Sequence, residues 1–421
     1  FGDMFTLRLA YEGTWVVTAD PAVIKQVFTG DPRVLHAGEA NRILRPVLGP
    51  NSVLLLDDDE HMRQRKLMLP PFHGERMLSY GEMMAQIASE EIERWPLGKP
   101  YRLRPRMQAL TLEVILRAVF GVSEGPRMDR MREALRRLVG ALTTPLAGAF
   151  LVALGPVRIG TLGLFQRELE RVNRPIYEEI ALRRGAADLD ERDDIMSLLL
   201  RATHEDGSPM SDEELRDELI TLLVAGHETT ANALAWAAER LCRHPEKLAR
   251  LRDEARAGES EEYLDAVVHE TLRLRPVISV VGRRLKEPME LGGWELPAGV
   301  GIVPAIHLVH RRPDVYPEPD EFRPERFLES PPGTYTWIPF GGGVRRCLGA
   351  SFAQFEMKVV LRELVDRCEL LPARPRSERV YRRAITETPR HDAEVLVLRA
   401  KRGTAATGEQ SSAAQMRARA A

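Results

Sequence analysis

From Ser211 to Arg243 the chain keeps a single helical face for more than thirty residues, and that length restricts the folds open to it. Leu215, Leu219, Leu222, Gly226 and Thr230 recur on that face at helical spacing. Ser211 and Glu214 have the spacing of a capping box, and His244-Pro245 stops the pattern. At 1.5 Å per residue such a helix is about 45 Å long. It is too long for a surface element and is expected to cross the core.

Around it, helical periodicity dominates from about Asp57 to Leu274, punctuated by Pro70-Pro71, Gly98-Lys99-Pro100 and Asp206-Gly207-Ser208-Pro209. Strand-like alternation is read at Thr6 to Tyr11, Trp15 to Thr18 and Ala393 to Leu398, with a helix opening at Asp20-Pro21. Beyond Pro276 the texture is strands and turns until one more helix follows Cys347, to about Cys368. The fold class is mainly α with a minor β portion. Residues 1–400 are read as one catalytic domain and 401–421, small and polar, as a disordered tail.

A net charge of −2 gives no global basic field, so nucleic acid is not an expected partner. No stretch reaches the ~18 uninterrupted apolar residues of a spanning helix. The nearest, Leu146 to Leu164, is broken by Pro156, Arg158 and several glycines and reads as a buried helix pair or loop. Three cysteines, at 242, 347 and 368, make neither a disulfide framework nor a paired zinc site and suit a reducing cytoplasm. Cys242 and Cys368 sit at apolar helical positions, as small buried hydrophobes do.

Cys347 differs. It lies in Phe340-Gly341-Gly342-Gly343-Val344-Arg345-Arg346-Cys347-Leu348-Gly349. Glycines let a backbone bend tightly and approach a flat ligand. A helix start and Arg345 favour a thiolate, so Cys347 is a candidate axial ligand for haem iron. No Lys-Ser/Thr follows, as a phosphate loop would require. In the long helix, Ala225-Gly226-His227-Glu228-Thr229-Thr230 sets a carboxyl beside a hydroxyl where protons could be relayed, and the helix-weakening Gly226 suggests a need for space. Leu222, Ala225 and Thr229 share a face. Glu270 and Arg273 form an i,i+3 pair that Arg326 could join, and His61 and Arg65, one turn apart, could clamp two acidic groups.

In this order and spacing the motifs resemble the cytochrome P-450 family over roughly residues 1 to 400. Phe340, Gly343, Arg345, Cys347 and Gly349 match its haem loop, Ala225 to Thr230 its oxygen-side helix, and Glu270, Arg273 and Arg326 its structural network. The resemblance implies a long central helix over haem b, with the cysteine loop beneath it and Cys347 as the metal ligand. It implies that Phe340, Gly343, Arg345, Gly349, Ala225 and Gly226 border the cofactor. It gives His61, Arg65, Arg283 and Arg345 to the propionates, Arg283 by its offset from Gly292-Gly293. Glu228 and Thr229 become the acid–alcohol pair that guides protons to dioxygen.

By family position the substrate pocket draws on His36 to Leu56, Leu222, Ala225, Ile278, Val280 and Ile385, largely apolar. The expected substrate is therefore a hydrophobic molecule such as a fatty acid, terpenoid, steroid or polyketide-like compound. Electrons from NAD(P)H would arrive through a ferredoxin or flavodoxin with its reductase. Arg63, Lys66, Arg345, Arg346 and Lys358 are the expected basic docking patch. The chain opens at what resembles the family's first sheet strand, so the usual N-terminal Pro-rich segment and first helix are read as absent. Competing readings are peroxide-driven oxidation or rearrangement, against which Glu228-Thr229 argues, and a haem-based sensor without turnover.

Overall fold

The computed structural model describes residues 2–9, 12–72, 76–121, 125–142 and 163–400. Its helices of more than one turn are α1 (Pro21–Thr29), α2 (Asp58–Met68), α3 (Arg76–Glu93), α4 (Arg104–Phe120), α5 (Pro126–Leu142) and α6 (Gly163–Arg184). They continue as α7 (Ile195–Arg201), α8 (Asp212–Cys242), α9 (Pro245–Ala257), α10 (Glu262–Leu274) and α11 (Ala350–Arg367). The segment 146–164 lies almost wholly outside the described residues, as does the tail from 401.

The long helix α8 starts where the sequence says it should. Ser211 Oγ accepts the Glu214 amide at 3.1 Å, and the Glu214 carboxylate accepts the Ser211 amide at 2.8 Å. Two orphan donors of the first turn are thus satisfied. From Thr230 to Cys242 every residue is buried, so the second half of α8 is a core rod rather than an amphipathic surface helix. Residues of α8 pack with α3, α4, α10 and α11 in one large apolar cluster that includes Met84, Leu116, Leu234, Val267 and Val360.

A five-stranded sheet runs in the order β1 (Met4–Leu9), β2 (Gly13–Thr18), β8 (Gly301–Pro304), β5 (Arg283–Leu285) and β3 (Leu35–His36). β2 and β8 are parallel, with Trp15 opposite Gly301; any side chain at 301 would strike the Trp15 ring. In a smaller sheet β12 (Glu394–Arg399) lies between β4 (Pro100–Arg102) and β9 (Cys368–Pro372). Two hairpins complete the β portion: β6 (Met289–Leu291) with β7 (Trp294–Leu296), and β10 (Val380–Arg383) with β11 (Thr386–Pro389).

The sheet has its own apolar cluster, which α1 covers with Val23, Ile24, Val27 and Phe28. Asp20 caps α1 by accepting the Ala22 amide at 2.7 Å, and Pro21 fills the first helical position, where no amide hydrogen is needed. The cysteine loop spans the two clusters. Phe340 and Leu348 pack on the helical core, whereas Gly342 and Gly343 press against Phe28.

Candidate active site

The Cys347 amide donates to the Phe340 carbonyl at 3.0 Å and closes the loop on itself. Gly341 and Gly343 hold φ of 68° and 64°, the left-handed region that glycine enters without steric cost. The glycines were read as clearance for a flat ligand, but their constraint comes from the protein. A Cβ at 342 would enter the Phe28 ring, and one at 343 would collide with the Phe28 carbonyl oxygen. Gly349, the residue before α11, has open space around it.

Cys242 and Cys368 are buried, with thiols pushed up to about 12 and about 11 by burial. Cys347 is exposed, yet enough protein surrounds it that burial pushes its thiol up as well, so it opens into an interior space. The Gly349 amide and the charges of Arg65 and Arg346 oppose that rise and favour the thiolate. Arg345, expected to supply this charge, instead turns to Asp57 (2.5 Å) and the Val53 carbonyl (3.4 Å).

Arg345 joins Arg65 and Arg283 as the charged groups around His61. Burial and the charges of Arg345, Arg65 and Arg283 push the His61 imidazole down to about 3. Burial and the neighbouring Arg345 charge bring the Arg283 guanidinium down to about 10. His61 Nδ1 and Arg345 Nε are buried with no hydrogen-bond partner among the described residues. Gathered donors that lack acceptors, beside a thiol, suit a cofactor carrying two carboxylates and a thiol-seeking metal. The residues present therefore fit haem.

On α8, Ala225 is exposed in the middle of an otherwise covered helix, and Leu222 and Thr229 beside it are half-buried. Thr229 Oγ1 donates to the Ala225 carbonyl at 2.6 Å. The space expected at Gly226 is taken by the protein: a Cβ there would meet Ile115 of α4 at 3.0 Å. Gly226 thus serves the close approach of α8 and α4. Glu228 is buried and faces α4, accepting from Gln108 at 2.5 Å and Arg104 at 3.3 Å. Neither Arg104 nor Gln108 stood out in the sequence, because nothing in their spacing marks them.

The expected network forms and is fully buried. Arg273 Nε and Nη2 grip both Glu270 oxygens at 2.6 and 2.9 Å, and Arg326 Nε reaches the same carboxylate at 3.2 Å. The remaining donors of Arg273 reach the carbonyls of His310, Pro319 and Glu321. His310, which the sequence did not single out, bridges Arg273 to the cysteine loop. Its Nδ1 lies 3.1 Å from the Arg273 carbonyl, and its Nε2 accepts the Ile338 amide at 2.8 Å. Burial pushes its imidazole down to about 3, so the ring is neutral and can accept.

The segment before Asp57 read as irregular, but α8 grips it residue by residue. Arg216 donates to the Leu48 carbonyl at 3.1 Å, Asp217 accepts the Asn51 amide at 2.8 Å, and Thr221 reaches Ser52 Oγ at 2.8 Å. Leu54 and Leu55 pack against the helical core from this segment. Ile278 is half-buried, while Val280 and Ile385 are exposed. The docking patch is thinner than its composition suggested. Lys66 is paired with Glu205, Lys358 with Glu261 and Asp265, and Arg345 points inward, which leaves Arg63 and Arg346 exposed.

A thiol ahead of a helix, guanidinium groups beside it and a long helix bearing a carboxyl and a hydroxyl suit the haem-thiolate class of oxygen-activating enzymes. The family model for cytochrome P450 matches residues 1–391. Cytochrome P450 135B1 of Mycobacterium tuberculosis (strain ATCC 25618 / H37Rv) is 45% identical over 414 residues, covering 97% of this chain and 87% of its own. Cytochrome P450 135A1 of the same organism is 40% identical over 404 residues, covering 96% and 89%. Among solved structures, retinoic acid bound cyanobacterial CYP120A1 superposes with a TM-score of 0.82 at 24% identity, covering 95% of this chain and 92% of its own. The cytochrome P450DA heme domain does so at 0.78, with 24% identity and coverage of 95% and 90%.

The chain belongs to the cytochrome P450 family. It is a haem-thiolate monooxygenase that uses O₂ and takes electrons from NAD(P)H through redox partners. No helix among the described residues is long and apolar enough to cross a membrane.

Proposed function

We propose that Cys347 is the cysteine that supplies the axial thiolate, and that the enzyme inserts oxygen into a hydrophobic molecule of the fatty acid, terpenoid, steroid or polyketide-like kind. The observation that carries this reading is the position of Arg65. It lies near both Cys347 and His61, and so links the thiol to a basic group in which His61 Nδ1 and Arg345 Nε have no hydrogen-bond partner among the described residues. In this reading His61, Arg65, Arg283 and Arg345 hold the haem propionates. Bound haem supplies the oxygen-activating iron chemistry. The chain's own residues supply the rest: Glu228 and Thr229 carry protons, and Leu222, Ala225, Ile278, Val280 and Ile385 orient the substrate and exclude water.

Arg42, on the segment before Asp57, is paired with Glu12 at 3.1 Å. An acidic ferredoxin or flavodoxin fits the surface that Arg63 and Arg346 leave open, at the face where Cys347 lies. Cytoplasmic residence accords with the sparse, unpaired cysteines. The test is Cys347→Ser, alongside Cys242→Ser and Cys368→Ser. Loss of the thiolate-type spectrum of the reduced carbonyl complex in the first alone supports the reading. Retention of that spectrum in Cys347→Ser overturns it.

A further inference from the structure

Asp57 stands at the position that caps α2, yet its side chain makes no capping hydrogen bond. An aspartate there ordinarily accepts an amide of the helix's own first turn. Here the carboxylate turns away, to the one-turn helix Ala37–Ala40. Its Oδ1 accepts the Gly38 amide at 2.8 Å, and its Oδ2 the Glu39 amide at 2.9 Å. His36 Nδ1 lies 3.5 Å from Oδ2. The fit is close, since a Cβ at 38 would strike both the Leu55 carbonyl and Asp57 Oδ2.

The same carboxylate reaches the cysteine loop. Its Oδ1 also accepts from Arg345 Nη2 at 2.5 Å, and Arg345 Nη1 donates to the Val53 carbonyl at 3.4 Å. Val53 in turn gives its amide to Glu218 of α8 at 2.7 Å. The ion pair is well covered, with the Arg345 and Asp57 side chains 9% and 13% exposed. Arg345 Nε is left buried with no partner among the described residues. Burial brings the Arg345 guanidinium down to about 10, and the Asp57 charge opposes that fall. It opposes the fall at Arg283 as well. Asp57 is thus an acid that steadies guanidinium groups whose like charges repel.

We infer that Asp57 is a positioning residue that fixes Arg345 by its Nη groups, leaves Nε for a haem propionate, and ties that guanidinium to the substrate-pocket segment from His36 to Leu56. A guanidinium carries its donors in a rigid planar fork, so a partner held on the Nη groups also sets the direction of Nε. Segment and cofactor then share one carboxylate. A displacement of the one-turn helix Ala37–Ala40 is felt at the propionates through Asp57 and Arg345. This inference rests on the reading of Arg345 as a propionate-binding residue.

The experiment uses the haem-loaded enzyme as wild type, Asp57→Asn and Asp59→Asn. Asp59 is exposed on α2 and 3.7 Å from Arg33, so its variant controls for a lost charge. Asparagine keeps one acceptor oxygen and cannot serve two amides and a guanidinium as the carboxylate does. Hydrogen exchange at the Gly38 and Glu39 amides should therefore quicken in Asp57→Asn alone. Loss of a negative charge beside the cofactor favours the reduced iron. The ratio of reduced to oxidised haem at a fixed potential should rise about tenfold in Asp57→Asn. A merely structural role quickens exchange but leaves that ratio where Asp59→Asn leaves it, and this result overturns the inference. If Asp57→Asn fails to fold, the wild-type crystal structure decides alone. Arg345 Nε on a propionate, with Nη2 still on Asp57, supports the inference. A propionate gripped by both Nη groups, with Asp57 released, overturns it while leaving the propionate reading intact. An Arg345 that touches neither propionate removes that reading, and this inference with it.

Discussion

Glu218 Oε1 accepts the amide hydrogen of Val53 at 2.7 Å inside the protein, while its Oε2 is buried with no partner among the described residues. Burial raises the Glu218 carboxyl from 4.5 to about 8. The folded enzyme therefore holds a proton that the unfolded chain releases between those values. Its stabilising contribution is full below about pH 4.5 and is lost as pH rises through 8. Denaturant unfolding across pH 5–8 should show stability falling by up to about 1.4 kcal/mol per pH unit from this group. Glu218→Gln should flatten that slope. An unaltered slope in the variant assigns the proton elsewhere.

Thr229→Ala removes the hydroxyl that α8 presents next to Glu228. Product formed per O₂ consumed should fall, by up to about 100-fold if the hydroxyl supplies the lower end of a positioned proton donor's effect. Peroxide should appear in place of product. Equal coupling in wild type and variant would remove the Thr229 hydroxyl from the proton path.

Arg273→Met leaves the Glu270 carboxylate buried with Arg326 as its remaining charged partner. The cost of breaking a buried pair in this way is about 3–5 kcal/mol. The variant should be recovered largely without haem, because Arg273 Nη1 also holds the His310 carbonyl, and His310 in turn holds the Ile338 amide just ahead of the cysteine loop. Haem content and melting temperature check this, with Arg323→Met as the nearby control on an exposed ion pair.

Arg63→Glu and Arg346→Glu should slow reduction by an acidic ferredoxin and weaken the salt dependence of that rate. Lys66→Glu and Lys358→Glu should matter less, since Glu205, Glu261 and Asp265 already hold those amines. Stopped-flow reduction at two ionic strengths separates the sets. Equal effects at all four positions would restore the broader patch that composition alone suggests.

Much of the frame was legible because its signals are local. The Ser211–Glu214 cap, the Pro21 helix start and the helix after Cys347 each depend on neighbours within a few residues. The gathering of His61, Arg65, Arg283 and Arg345 was visible only through family resemblance, since their separation in sequence carries no periodicity. What stayed hidden depends on long-range pairing. The Asp392–Arg104 contact joins residues 288 positions apart, and Asp217–Asn51 joins residues 166 apart. Gly226 is a related case: a helical glycine announces that something comes close, but not that it is Ile115.

The collision that Phe28 imposes at Gly343 gives the signature loop a dependent far outside itself. The loop is one half of a lock whose other half is the first helix. Grafting residues 340–349 onto a different scaffold would therefore need a matching aromatic and backbone at the position of Phe28. A designer who copied the motif alone would transplant a key without its keyhole.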